Sequence, residues 1–354
     1  MGYTIKDVAI RANVSSATVS RVMNNKGYFS DSVRKRVLDA IEELDYTPNL
    51  MASSLSKNRV KIIGVIVPDI CNTFFSKIFY AASKLAEQND YRVILYNTDD
   101  NMASEMSALQ DMISYRVSGI IMTPVSDQYD ANAELLNNIQ SSGVPVVFVD
   151  REMKGVSCDG VFVDNIRSSY EATERLLQEG HRKIAIVAGP QDTIPGRERM
   201  LGYMNALRDW GVQVPPEYIT YGDFKTDKSY QVMMELMESE DPPTAVFSCN
   251  NLMTLGCIQA IRTHNKRIPD EISLVGFDEV ELLDVLGYQI TVVSRAISEM
   301  GTIAMQLVLD RIVQEKQRSY QRVVLQSQLL LKGSERMGAV GENEETQWQK
   351  RSIK

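Results

Sequence analysis

The sequence predicts a small all-α head joined to a larger α/β body of two doubly wound lobes. Three observations carry this. Three short helical patterns fit within the first 50 residues. From residue 60 onward, short apolar runs alternate with amphipathic stretches, which implies parallel sheets covered on both faces. That alternation is read twice along the chain, and 354 residues are enough for two or three domains.

The head is justified helix by helix. Thr4 and Asp7 fit a capping pattern at a helix start, and Ile5, Val8, Ala9 and Ala12 follow one helical face. Asn13-Val14 interrupts the pattern. Ser15 is placed to cap a second helix running to about Asn24, with Val19, Val22 and Met23 inward. Ser16, Ala17, Ser20 and Arg21 are left facing out. A third helix is expected from Ser32 to Leu44, with Val33, Val37, Leu38, Ile41 and Leu44 on one face. Three short helices in under 50 residues, with the second pair joined by a tight turn, describe a helix-turn-helix. Its second helix carries short outward side chains that let the backbone approach base edges, and Arg21 is long enough to reach guanine or a phosphate. On pattern alone, a three-helix bundle for protein contact stays open.

Charge divides in the same place. The whole chain is at −8, yet residues 1–60 hold nine of the 38 basic and six of the 46 acidic residues, a net +3. A basic head on an acidic body suits a nucleic-acid reader with a separate regulatory part.

In the body, Ile62 to Val67, Tyr91 to Tyr96, Gly119 to Met122 and Val144 to Val149 read as strands of a first lobe. The rhythm restarts at Val161 to Val163 and continues through Lys183 to Val187, Ala245 to Phe247 and Ile272 to Val275. Thr291 to Arg295 is expected to return to the first lobe, and Ser298 to Gln314 to form an amphipathic helix. Ligands of open α/β sheets sit beyond the C-terminal strand ends. The residues there include Asn72, Phe74, Phe75, Asp99, Asp150, Arg151, Arg199, Asn250, Asp278 and Arg295. Amides, carboxylates, guanidiniums and flat rings suit a polyhydroxylated small molecule. Taken singly, Asp99 and Asp150 could equally cap helices.

Other classes are poorly supplied. No stretch approaches the roughly 20 apolar residues of a membrane span, and the N-terminus lacks a secretory signal, so a cytoplasmic location is expected. Cys71, Cys158, Cys249 and Cys257 form no close pair, and two histidines give a poor choice for catalysis. No phosphate loop or nucleophile elbow is present. Neither enzyme activity, a cofactor nor a metal is expected.

Two segments make the reading specific. Thr4-Ile5-Lys6-Asp7-Val8-Ala9, followed by Val14 to Asn24, resembles the DNA-binding signature of the LacI/GalR family of bacterial regulators. Leu44 to Asn49 and Met51 to Leu55 resemble the hinge helix of that family. The body is similar to it in Ile66 to Ile70, Phe148 to Arg151, Gly180 to Ala185 and Val275 to Asp278, so that the likeness covers residues 3 to 333. It implies a periplasmic-binding-protein-like body and a dimeric repressor of a carbohydrate-related operon. The implied domains are a helix-turn-helix at 1–47, a hinge helix and linker at 48–60, a two-lobed ligand-binding and dimerisation domain at 61–333, and a disordered tail at 334–354.

The resemblance implies DNA contacts from Thr4, Ser15, Ser16, Ala17, Thr18, Ser20, Arg21 and Asn24, with Asn49 capping the hinge and Leu55, supported by Ala52, wedged into the minor groove. The implied partners are palindromic double-stranded operator DNA, a sugar or acidic sugar effector between the lobes, and a second copy of the chain; no membrane is involved. A regulator of the same fold controlled by a partner protein is the alternative. Family members often carry Gln where this chain has Arg295. If Arg295 joins Arg151 and Arg199 in the cleft unpaired, an anionic ligand is favoured; if it pairs with a protein carboxylate, a neutral sugar fits.

Overall fold

The computed structural model describes residues 3–23, 27–46, 61–128, 130–313 and 319–338. The chain divides into two units, Met1–Val60 and Lys61–Lys354. In the first, α1 (Ile5–Ala12), α2 (Ser16–Met23) and α3 (Asp31–Glu43) pack around Val8, Val19 and Val37. The Thr4 backbone N–H donates to Asp7 at 2.7 Å, fixing the start of α1. Asn13 ends it in the left-handed region, at φ 51°. The Ser15 hydroxyl accepts from the Thr18 N–H at 3.1 Å and starts α2. Leu38, expected inside, is 48% exposed. Successive helical residues point about 100° apart, and Val37 takes the place in this small core. Asn24 and the hinge positions Asn49, Ala52 and Leu55 lie outside the described residues.

The body holds two six-stranded sheets. The first contains β1 (Ile62–Val67), β2 (Arg92–Asn97), β3 (Gly119–Met122), β4 (Val146–Val149), β5 (Asp159–Val163) and β11 (Arg322–Leu325). Their order is β11-β5-β4-β3-β1-β2, all parallel. Helices α4 (Thr73–Gln88), α5 (Met102–Ser114) and α6 (Asp130–Ser141) connect them. The second sheet contains β6 (Ile184–Ala188), β7 (Ile219–Tyr221), β8 (Ala245–Ser248), β9 (Ser273–Phe277), β10 (Thr291–Arg295) and β12 (Ser327–Leu330). Its order is β12-β10-β9-β8-β6-β7, with β12 antiparallel. It is served by α7 (Asn165–Gln178), α8 (Ile194–Asp209), α9 (Thr226–Glu238), α10 (Asn251–Thr263) and the short α11 (Glu281–Val285). Central strands are apolar and buried throughout, as parallel strands covered on both faces must be.

Two assignments differ from the expectation. The strand at Val161 to Val163 completes the first sheet beside β4 rather than opening the second lobe. Thr291 to Arg295 lies in the second sheet beside β9, and the return is made by α12 (Ile297–Val313). Met300, Ala304 and Val308 of α12 are buried against Ile63, Val65 and Ile78 of the first lobe. The chain therefore passes between lobes three times: after β5, after β10, and between β11 and β12. Helices α4 and α12 touch backbone to backbone, because a Cβ at Gly301 would lie 2.3 Å from the Ile78 carbonyl oxygen.

Residues 334–336, expected to belong to a disordered tail, pack on the body. Ser334 and Glu335 are buried. The Ser334 carbonyl accepts from the Leu274 N–H at 3.0 Å and its hydroxyl accepts from the Thr291 N–H at 2.7 Å, which ties this segment to the second sheet.

Candidate functional site: a DNA-reading helix and a cleft between lobes

On the head, Ala17 and Arg21 are exposed along α2, and Ser16, Thr18 and Ser20 are half-buried beside them. Thr4 and Ser15 are exposed at the starts of α1 and α2. The Ser15 and Thr18 hydroxyls lie 2.9 Å apart, so both are oriented by the cap. The outward set thus consists of short polar side chains and one long cation.

In the body, the strand ends of both sheets converge on one cleft. Asp150 and Arg151 follow β4, Asp278 follows β9, and Arg295 closes β10. Asp150 and Asp278 both adopt left-handed backbone, at φ 66° and 68°, which the short polar side chain of Asp tolerates. Arg295 lies between them. Its Nε donates to Asp278 at 2.6 Å and its Nη1 to Asp150 at 2.6 Å, across the lobes. Its guanidinium carbon is 3.9 Å from the Phe74 ring centre. Arg199 stands beside them, donating to Asn165 at 3.0 Å and the Cys249 carbonyl at 2.6 Å, with Phe277 beneath it at 3.8 Å.

The electrostatics follow from burial and charge together. Burial pushes the Asp150 carboxyl up, but the guanidiniums of Arg295, Arg199 and Arg151 outweigh it and hold the group below the usual range. Burial and the neighbouring Arg295 bring Arg199 down to about 10. Burial lowers Arg295 too, but Asp278 and Asp150 reverse this and raise it. Arg295 is therefore paired, and the condition attached to an anionic ligand is not met. Arg151 Nη1 donates to Asp100 at 2.9 Å and to the Val125 carbonyl at 3.1 Å. Its Nε is buried with no hydrogen-bond partner among the described residues.

Two expected contacts have structural duties. The Asn72 side chain caps α4 through the Phe74 N–H at 3.0 Å and accepts from Asn251 at 2.8 Å across the cleft. Asn250 caps α10 through the Met253 N–H at 2.7 Å. Phe74 and Phe75 meet edge to face at 4.9 Å on the first-lobe wall. Asp99 is a correction: it does not line the cleft. Its side chain is 82% exposed and pairs with Lys225 at 3.6 Å, while its neighbour Asp100 faces inward. Both residues have positive φ, so the tight turn after β2 sends adjacent side chains apart.

Phe224, Lys225 and Asn251 line the cleft without having been singled out as ligand contacts. Phe224 has φ 56° and lies against Gly189, with the guanidiniums of Arg151 and Arg199 at 5.7 and 5.8 Å from its ring centre. The Arg295–Asp150 and Asn251–Asn72 hydrogen bonds join the lobes across the cleft, and the space left between them is about 30 Å³. Among the described residues, no group of three or more His, Cys, Asp or Glu side chains is arranged to hold a metal. Burial pushes the Cys249 and Cys257 thiols up to about 12, leaving them unreactive.

Residues 4–49 match the family described as bacterial regulatory proteins, lacI family. Residues 60–333 match periplasmic binding proteins and the sugar binding domain of the LacI family. This chain belongs to the LacI family. The HTH-type transcriptional repressor CytR of Escherichia coli is 31% identical over 333 residues, covering 94% of this chain and 96% of the relative. A structure of the regulator CelR in complex with cellobiose shares 28% identity at a TM-score of 0.70, covering 94% of this chain and 99% of that one. The lac repressor dimer bound to operator and the anti-inducer ONPF superposes with a TM-score of 0.81 at 24% identity, over 95% and 100% of the two chains, which shows the shared fold. As a LacI-family member, the chain is a DNA-binding transcriptional repressor with a sugar-binding-type domain. Its named relatives are regulators rather than enzymes. Among the described residues, no helix is long and apolar enough to cross a membrane.

Proposed function

We propose that this LacI-family member represses a carbohydrate-related operon as a homodimer on a palindromic operator, and that an uncharged sugar or sugar derivative between the lobes sets its grip on DNA. The observation that carries the neutral ligand is the pairing of Arg295 with both Asp150 and Asp278. With that guanidinium occupied, an added anion gains little and must still be desolvated. Arg151 Nε supplies a buried donor for a hydroxyl, and Asp150 an acceptor. Phe74, Phe75 and Phe224 supply flat apolar walls. Asn72, Asn250, Arg199 and Asp278 complete the binding set.

On the head, α2 enters the major groove, with Ser16, Ala17 and Arg21 at the bases and Thr4, Ser15, Thr18, Ser20 and Asn24 along its flanks and the backbone. Leu55, with Asn49 and Ala52 of the same hinge, acts in the minor groove. Dimerisation draws support from exposed apolar residues at one edge of the body. Tyr80 of α4 and Leu282, Val285 and Leu286 at α11 are all more than 60% exposed, and Lys77 and Glu281 join those two helices at 2.6 Å.

The test has two stages. Selection from random duplexes identifies the operator, and calorimetry then compares matched neutral and acidic sugars. Saturable heat with neutral sugars, together with altered operator affinity, is expected. Binding of acidic sugars alone overturns the neutral reading. Operator binding that no sugar alters moves control to a partner protein.

A further inference from the structure

The body holds a second hollow apart from the cleft. A cavity of about 500 Å³ lies on the first sheet where a helical layer is missing. Strand β4 passes to β5 through an irregular connection, Asp150–Cys158, rather than a helix, so that loop forms part of the roof over this end of the sheet face. Glycine enlarges the hollow from below. A Cβ at Gly160 would lie 2.3 Å from the Phe162 ring, so the ring lies flat across the strand. Part of its wall is apolar, from Phe148, Met153, Val156 and Phe162 of the first lobe and Ile194 at the start of α8 in the second; the rest is polar and charged. Volumes of this order suit a small organic ligand.

The charges at the wall favour one sign. Asp127 is matched by Arg197 across the lobes, and Glu152 by Arg322, whose guanidinium carbon is 4.1 Å from the Phe162 ring centre. Lys154 is the remaining cation, with no carboxylate partner among the described residues. A chamber walled partly by apolar side chains, with one surplus ammonium group and two guanidiniums already fixed by carboxylates, is complementary to an amphipathic monoanion. Its apolar body replaces water against Val156 and Ile194, the half-buried apolar residues of the wall, and its acid group reaches Lys154.

We infer that this cavity is a second small-molecule site, separate from the cleft, that takes an organic acid with a flat apolar body. The roof is shared: Asp150 and Arg151 turn into the cleft while Glu152 to Cys158 cover the cavity.

Anilinonaphthalenesulfonate has this chemistry and reports its own burial by fluorescence. The full-length chain is expected to bind it saturably, at one site per chain. Val156→Trp, which fills the cavity, should abolish the signal. Lys154→Glu, an exposed change that spares the core, should weaken binding at least tenfold, with an unchanged circular dichroism spectrum and melting temperature. Absence of saturable binding, or native affinity in either variant, overturns the proposal. None of these readouts depends on operator or sugar binding.

Discussion

Removing the Arg295 guanidinium would leave the Asp150 and Asp278 carboxylates buried without their shared partner. Arg295→Gln is therefore expected to destabilise the body by about 3–5 kcal/mol, read from urea denaturation. Adding Asp278→Asn should recover part of that loss, because one buried charge goes with its partner; a double variant no more stable than the single one would contradict this account. His181 makes a separate prediction about pH. Burial lowers its folded pKa below 6.5, and its Nδ1 lies 2.9 Å from the Thr244 hydroxyl. Between 6.5 and the lower folded value, the unfolded chain binds the extra proton, so stability falls as pH falls through that window. His181→Gln should flatten that part of the profile of melting temperature against pH. At this scale the sequence was legible wherever a side chain follows directly from a strand end, as with Asp150, Arg151 and Asp278. It was not legible at Asp99, where two successive left-handed residues decide which carboxylate faces inward. Phe224 follows a three-residue edge strand, Ile219–Tyr221, too short and too exposed to announce itself.

Helices and strands were legible because apolar periodicity reports burial. The same signal does not name the sheet in which a strand is buried. Val161–Val163 and Val292–Val293 would be buried in either lobe, and only the path of the chain assigns their strands. Contact between α4 and α12 is the element on which this path depends, since it secures the returning chain to the first lobe. Gly301→Ala would press a methyl group onto the Ile78 carbonyl and force the helices apart. Overpacking of this kind costs about 1–3 kcal/mol. Because α4 begins at Thr73, beside Asn72 and Phe74, effector affinity should fall with stability; calorimetry and thermal melting of the same variant check both.

At the scale of the whole molecule, ligand and DNA must act on each other's affinity by one and the same factor. Whatever change in operator dissociation constant the effector produces, the operator should produce it in the effector's constant, and titrations in both directions test the equality. The proposed dimer edge makes a further prediction. Val285 is 81% exposed at the end of α11, and Val285→Asp would set a charge in the proposed apolar interface. Sedimentation should then show single chains in place of pairs, with loss of cooperative binding to the palindrome and an unchanged circular dichroism spectrum of the full-length chain. A native-like dimer in that variant would place the interface elsewhere.

The threefold passage between lobes also bears on how the protein is made. A ribosome that has released β5 has delivered five of the six strands of the first sheet, yet Met300, Ala304 and Val308, which cover Ile63 and Val65, are still unsynthesised. The whole of the second lobe up to β10 must emerge first, a wait on the order of ten seconds at ordinary elongation rates. The nascent first lobe spends that interval with one apolar sheet face incompletely covered. Chaperone occupancy on stalled chains should therefore persist past Val163 and fall only when the segment ending at Val313 has cleared the exit tunnel.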